Sequence, residues 1–278
     1  MDKMIKNSWI TLIQYIFIFL ISTISSLIIF YALWIIYYLK KKNNFEFSPS
    51  LLVYFLSLLL SSFCLLIQYF ILLIFYFLLN NNITTQIIFW SGLLPGSLLP
   101  ASPISVFFLS FDRLLIVLFP HFYLKREPKY ILSFISFLTI LLLFCFNLII
   151  NYIERPLDEI TECISFGCLT SNASRLIYSI NRLIVALPNF IIGSLFLIIL
   201  FAYRRRKSFS FMDLLPNFIN FILTAFFNIN ISVYVGAFRS LTFSLETFFA
   251  ALTHTIILLN IYYFNKKKII NPIDFVDY

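Results

Sequence analysis

The sequence predicts an all-α membrane protein: a seven-transmembrane helix bundle with the amino terminus outside and the carboxyl terminus inside. Three observations predict it. Of 278 residues, 61% are hydrophobic and only 12% are charged, where a soluble domain carries about 45–50% and about 25%. The apolar residues fall into runs of the roughly 20 residues that a spanning helix needs. The basic clusters lie between alternate runs, as expected when every second loop faces the cytosol. No single soluble core buries so much apolar surface, which excludes a soluble globular enzyme. A disordered chain needs low hydrophobicity and high net charge, which excludes disorder.

The spans follow in order. Residues 9–39 form the first; it is longer than a signal-peptide core and lacks a small-residue cleavage site, so a retained span is expected. Residues 51–79 and 90–119 form the second and third. Pro95, Pro100 and Pro103 interrupt the third and are expected to kink or break it. Residues 130–152 form the fourth, and 176–203, carrying Pro188, the fifth. The sixth, 214–234, is interrupted by Asn217, Asn220, Asn228 and Asn230, so a six-span reading stays open. Residues 241–264 form the seventh, and 265–278 a short cytoplasmic tail.

Charge sets the orientation. Lys40–Lys42 follow the first span, Lys125, Arg126 and Lys129 the third, Arg204–Lys207 the fifth, and Lys266–Lys268 the seventh. Threaded through seven spans, all fall on one side, and the positive-inside rule makes that side cytosolic. Lys3 and Lys6 oppose this and are outnumbered. The net charge of +8 is accounted for by these loops and by headgroup attraction. It is no sign of nucleic-acid binding, since no solvated basic domain carries it. The sequons at Asn82, Asn172 and Asn230 fall on or near the outer side, where acceptors are useful. Asn82 and Asn172 are the expected glycosylation sites; Asn230 is close to the membrane.

Cys64 and Cys145 lie in apolar runs and read as buried thiols. Cys163 and Cys168 lie in a polar loop, and an extracellular loop would let them pair. With only His121 and His254 in the chain, and neither near the cysteines, no metal site is expected.

The inner end of the third span reads Ser110-Phe111-Asp112-Arg113-Leu114, with Pro120 seven residues after the arginine. Ionisable residues in a span are costly and point to function. A carboxylate holding a guanidinium at rest, and releasing it when the helices part, would make a two-state element that a ligand could bias. Equally, Arg113 could only snorkel to the headgroups.

Seven spans with an outside amino terminus and the Asp112-Arg113-x6-Pro120 pattern resemble the rhodopsin-like G-protein-coupled receptors. Short loops and aromatic-rich spans resemble the nematode serpentine chemoreceptors, and the loop segment Cys163-Ile-Ser-Phe-Gly-Cys168 resembles their Srbc class. The resemblance implies that Asp112, Arg113 and Pro120 serve G-protein coupling. It implies a small-molecule ligand and a heterotrimeric G protein as partners, no cofactor, and a multi-pass plasma-membrane location, sensory cilia included. Two features depart from the wider pattern. The outer end of the third span, Trp90-Ser-Gly-Leu-Leu-Pro95, has no cysteine to tie the second outer loop. Asn271-Pro272 lies beyond the basic cluster and does not continue to a tyrosine motif.

Arg182 in the fifth span and Glu246 in the seventh would be costly facing lipid and are expected to face the bundle. Either they border a ligand cavity open to the outside, or they stabilise the bundle as an ion pair. His254 joins them as a cavity candidate, although a lone intramembrane histidine more often bonds a neighbouring helix. The abundance of Phe and Tyr around such a cavity favours small apolar or aromatic ligands.

A chemosensory receptor is the leading function. A ligand-gated channel or transporter is the alternative, but no internal repeat or midplane charge pair is seen. A membrane enzyme needs a metal or nucleophile constellation, and the sequence offers none.

Overall fold

The computed structural model describes residues 2–43, 47–78, 85–119, 123, 126–153, 155, 166–169, 180–181, 184–185, 187–196, 198–199 and 238–270. Among these, every regular element is helical. Helix α1 is Asp2–Asn43, α2 is Pro49–Leu78, α3 is Thr85–Leu98 and α4 is Ser102–Leu118. Helix α5 is Arg126–Ile153, and α6 is the short turn Phe166–Leu169. The described part of the fifth apolar run contains α7, Leu187–Phe196, and α8 is Phe238–Ile270. The expected sixth span, 214–234, lies outside the described residues.

Five described segments are long and apolar enough to cross a membrane: Thr11–Lys41, Pro49–Phe77, Thr85–Leu118, Glu127–Ile153 and Phe243–Asn260. Their outward faces are apolar. Phe30 is 67% exposed, Phe77 69% and Ile153 73%. Each such side chain left in water forgoes about 1.5–3 kcal/mol. A surface of this kind is stable only against hydrocarbon, where helices satisfy their own backbone groups. The chain is a membrane protein.

Helix α1 packs between α2 and α8. Helix α2 also packs on α3, α4 and α5, and α5 packs on both α3 and α4. The core has two levels. At one level, Ile29, Ala32, Ile35 and Leu39 of α1 meet Leu51, Tyr54 and Phe55 of α2, Leu109 of α4 and Leu258 of α8. At the other, Tyr15 and Ile18 of α1 meet Leu65, Tyr69 and Leu72 of α2, Ile88 of α3 and Phe243 of α8. The end of α1, the start of α2 and the end of α4 therefore share one end of the bundle, with Lys40, Lys41 and Lys129 around it. This is called the basic end below.

The third span, expected at 90–119 and to be kinked or broken by its prolines, is two helices. Leu99–Ala101 form a turn between α3 and α4. Pro100 and Pro103 have no N–H to give to carbonyls one turn back. The Leu99 carbonyl accepts instead from Ser102 Oγ at 3.3 Å, and the Leu99 N–H reaches the Pro95 carbonyl at 2.9 Å. Small residues fill the interior near the break. Ser57 Oγ donates to Ser105 Oγ at 2.8 Å, joining α2 to α4. Because a serine can return its proton to its own helix, such contacts cost little backbone order while tying helices together at about 1 kcal/mol each.

Candidate functional site

The expected coupling motif lies on the last two turns of α4, at the basic end. Asp112 is fully buried, and Arg113 is exposed. Consecutive helical residues point about 100° apart and do not face each other. The expected Asp112–Arg113 ion pair is accordingly not formed; this corrects the reading in which the carboxylate holds the guanidinium. The carboxylate accepts two hydroxyl hydrogen bonds instead. Ser48 Oγ, just before α2, donates to Asp112 Oδ2 at 2.7 Å. Tyr123, in the loop between α4 and α5, donates its phenolic proton to Asp112 Oδ1.

Local sequence explains the placement. Ser48 precedes Pro49, whose fixed φ starts α2 without needing a donor at its first turn. Phe119 closes α4 through its N–H to the Leu115 carbonyl at 2.9 Å. Tyr123 then bonds the Phe119 carbonyl through its own N–H at 3.0 Å, a helical hydrogen bond that keeps it beside the end of α4. Its ring is buried, 2% exposed. Burial, and then the hydrogen-bonded Asp112 carboxylate, push the Tyr123 hydroxyl above its ordinary range. It stays a proton donor throughout physiological pH. A third link lies beside this one: Ser50 and Ser133 share a 3.1 Å hydrogen bond between α2 and α5.

Chemically, this is a buried anion that fastens three separate chain segments at the basic end. Hydrogen bonds to a charged group are worth about 1.5–3 kcal/mol, roughly twice a neutral one. Arg113, released from any pairing with its neighbour, is turned outward.

His254 sits edge-on to Tyr54 at 5.4 Å and to Phe55 at 5.5 Å between ring centroids. Tyr54 and Phe55 belong to the core level nearer the basic end. Glu246 is half-buried on α8, eight residues earlier. At 1.5 Å per residue, the two are about 12 Å apart along the axis. His254 thus lies at the core level of Tyr54 and Phe55, apart from Glu246 along α8. Pro120, Arg182, Cys163, Asn82 and Asn172 lie outside the described residues. For Cys168, only the backbone, in α6, is described.

Sequence reasoning missed Ser48 and Tyr123. Neither has a local signal, because each reaches Asp112 from another segment. It also missed a docking of α6 on α3. A Cβ added to Gly92 would lie 2.5 Å from Phe166 Cβ, and one added to Gly96 would meet the same ring still more closely. The ring lies on the bare backbone of those two glycines, with Phe89 5.8 Å away between centroids. Leu169 packs on the core level far from the basic end. The Gly92-x3-Gly96 spacing, which lets another group approach a helix closely, was readable in the sequence.

A family model described as the serpentine type 7TM GPCR chemoreceptor Srbc matches residues 7–211, well over half of the chain. No curated protein matches it.

Proposed function

The chain belongs to the Srbc family of serpentine 7TM GPCR chemoreceptors, and from that premise we propose that it binds a small molecule from outside the cell and activates a heterotrimeric G protein inside. In this reading the chain crosses the plasma membrane seven times, with its amino terminus outside and its basic end in the cytosol. The setting is a nematode sensory neuron, its cilia included, and the sense served is olfaction. Arg113 meets the G protein, and Pro120 shapes the loop that follows. Asn82 and Asn172 carry glycans, Cys163 pairs with Cys168, and Arg182 and Glu246 border the outer cavity. The receptor needs no cofactor and catalyses nothing itself.

The observation that carries this reading is the pair Asp112 and Arg113. One is a buried anchor for the surrounding loops, and the other is an exposed cation at the basic end. Ser48 and Tyr123 take up the carboxylate, so the exposed guanidinium is left to meet a partner at the basic end.

Two measurements test it. Terminal tags stained in intact and permeabilised cells should show the amino terminus outside and the carboxyl terminus inside. An amino terminus inside with a carboxyl terminus outside sinks the receptor reading. Nucleotide exchange on a co-expressed G protein should be lost in Arg113→Ala while surface delivery survives. A ligand-evoked current that persists without any G protein would instead establish the channel alternative.

A further inference from the structure

A ladder of side-chain amides runs between α3, α4, α5 and the fifth apolar run. Asn151 Nδ2 donates to Ser97 Oγ at 3.2 Å. One turn along α5, Asn147 Oδ1 accepts from Asn181 Nδ2 at 3.2 Å, while Asn147 Nδ2 donates to the Leu143 carbonyl at 2.8 Å. On α7, Asn189 Nδ2 donates to the Pro103 carbonyl at 3.2 Å, just past the break in the third span. Asn147 and Asn151 are buried, at 5% and 8% exposure. Four asparagines at one seam exceed what helix packing requires, because each adds only about 1 kcal/mol of association.

The ladder ends on an unmet acceptor. Asn189 Oδ1 is buried and has no hydrogen-bond partner among the described residues. The amide cannot be turned round to relieve this, since its nitrogen must face the Pro103 carbonyl. A polar atom left unpaired within the membrane costs several kcal/mol. Pro103, whose carbonyl the Asn189 amide reaches, lies between Ala101 and Ile104 of an apolar cluster, against which Val185, Phe108 and Phe144 each pack. The charged residues of α4 and α5, namely Asp112, Arg113, Arg126, Glu127 and Lys129, lie at the basic end instead.

We propose that Asn189 Oδ1 is the polar contact of a ligand subsite at the break in the third span, and that it takes a small neutral molecule with one hydrogen-bond donor, such as a hydroxyl, on an apolar body. The donor satisfies the orphan oxygen, and the body packs against Val185, Phe108 and Phe144. A charged ligand would find no described counter-charge there and would lose its hydration. The subsite deepens the chemoreceptor reading and rests on it for the ligand's role.

The test uses the full chain in lipid nanodiscs and three matched pairs: 1-hexanol, benzyl alcohol and 2-phenylethanol, each against its methyl ether. The ether keeps the apolar body and loses the donor, and it controls for partitioning into lipid. Saturable binding, read from the unfolding midpoint, should favour at least one alcohol over its ether by tenfold or more. Asn189→Ala should reduce that preference to under twofold while the ether still binds. Asn189→Asp, which in its neutral form keeps both a donor for Pro103 and a free carbonyl oxygen, should retain the preference and shows that a loss in Asn189→Ala is not mere misfolding. Equal binding of alcohols and ethers, no saturable binding by any of the six, or a preference that survives Asn189→Ala overturns the subsite. Alcohol-evoked nucleotide exchange that is unchanged in Asn189→Ala overturns it too, but leaves the receptor reading standing. Saturable, Asn189-dependent alcohol binding without any exchange supports the subsite and counts against the receptor reading alone.

Discussion

Replacing Tyr123 with phenylalanine removes one oxygen and tests how the basic end is held. The ring keeps its buried place, so packing changes little. The Asp112 carboxylate keeps Ser48 Oγ at 2.7 Å and loses the phenolic donor. A hydrogen bond to a charged group contributes about 1.5–3 kcal/mol, and the oxygen left behind is fully buried. The expected loss is therefore about 2 kcal/mol. For a chain of this size, each kcal/mol moves the midpoint by on the order of 2 °C, which gives about 4 °C in purified, detergent-solubilised receptor. Ser48→Ala should cost a similar amount. In the Asp112→Asn background, Tyr123→Phe should cost under about 1 kcal/mol, because a neutral acceptor values the donor less. The coupling between Tyr123 and Asp112 would then exceed 1 kcal/mol in a double-mutant cycle. A Tyr123→Phe midpoint within 1 °C of the parent, or simple additivity with Asp112→Asn, would refute the buried-anion anchor.

Three further outcomes follow from the same geometry. Gly96→Ala should destabilise the chain by about 1–3 kcal/mol through overpacking against Phe166; thermal unfolding should show most of that loss gone when Phe166→Ala is added. The raised Tyr123 hydroxyl gives a signed pH effect. Its contribution is complete below the unfolded tyrosine pKa of about 10 and falls as pH rises above that towards the higher folded value. Unfolding followed from pH 8 to 11 should show an alkaline loss, and Tyr123→Phe should lessen it. Under the proposed topology, Asn172→Gln should remove a glycosidase-sensitive mass shift from receptor made in cells.

Much of the fold was legible because lipid imposes a coarse rule. Runs of about 20 apolar residues must be helices, and basic loops must alternate with them. Five described segments are helical and long and apolar enough to cross a membrane. The three prolines likewise foretold trouble in the third span, although a full break between α3 and α4 needed the placed Ser102 hydroxyl to take up the freed carbonyl. The Asp112-Arg113 pair was visible as costly charge near a membrane boundary.

Which way each charge turned was not visible. Adjacent positions on a helix diverge by geometry, but the sequence does not say which one meets the interior. Tertiary packing decided that Asp112 is buried between Ser48 and Tyr123, that Arg113 is exposed, and that His254 lies with Tyr54 and Phe55. It also decided that Phe166 rests on Gly92 and Gly96, a contact between segments some 70 residues apart. The division has a physical cause. Transfer into lipid depends on local composition and is additive along the chain, so the sequence by itself determined the helical class and the membrane setting. Hydrogen bonds and ring contacts join segments far apart in sequence, and only the assembled bundle selects their partners.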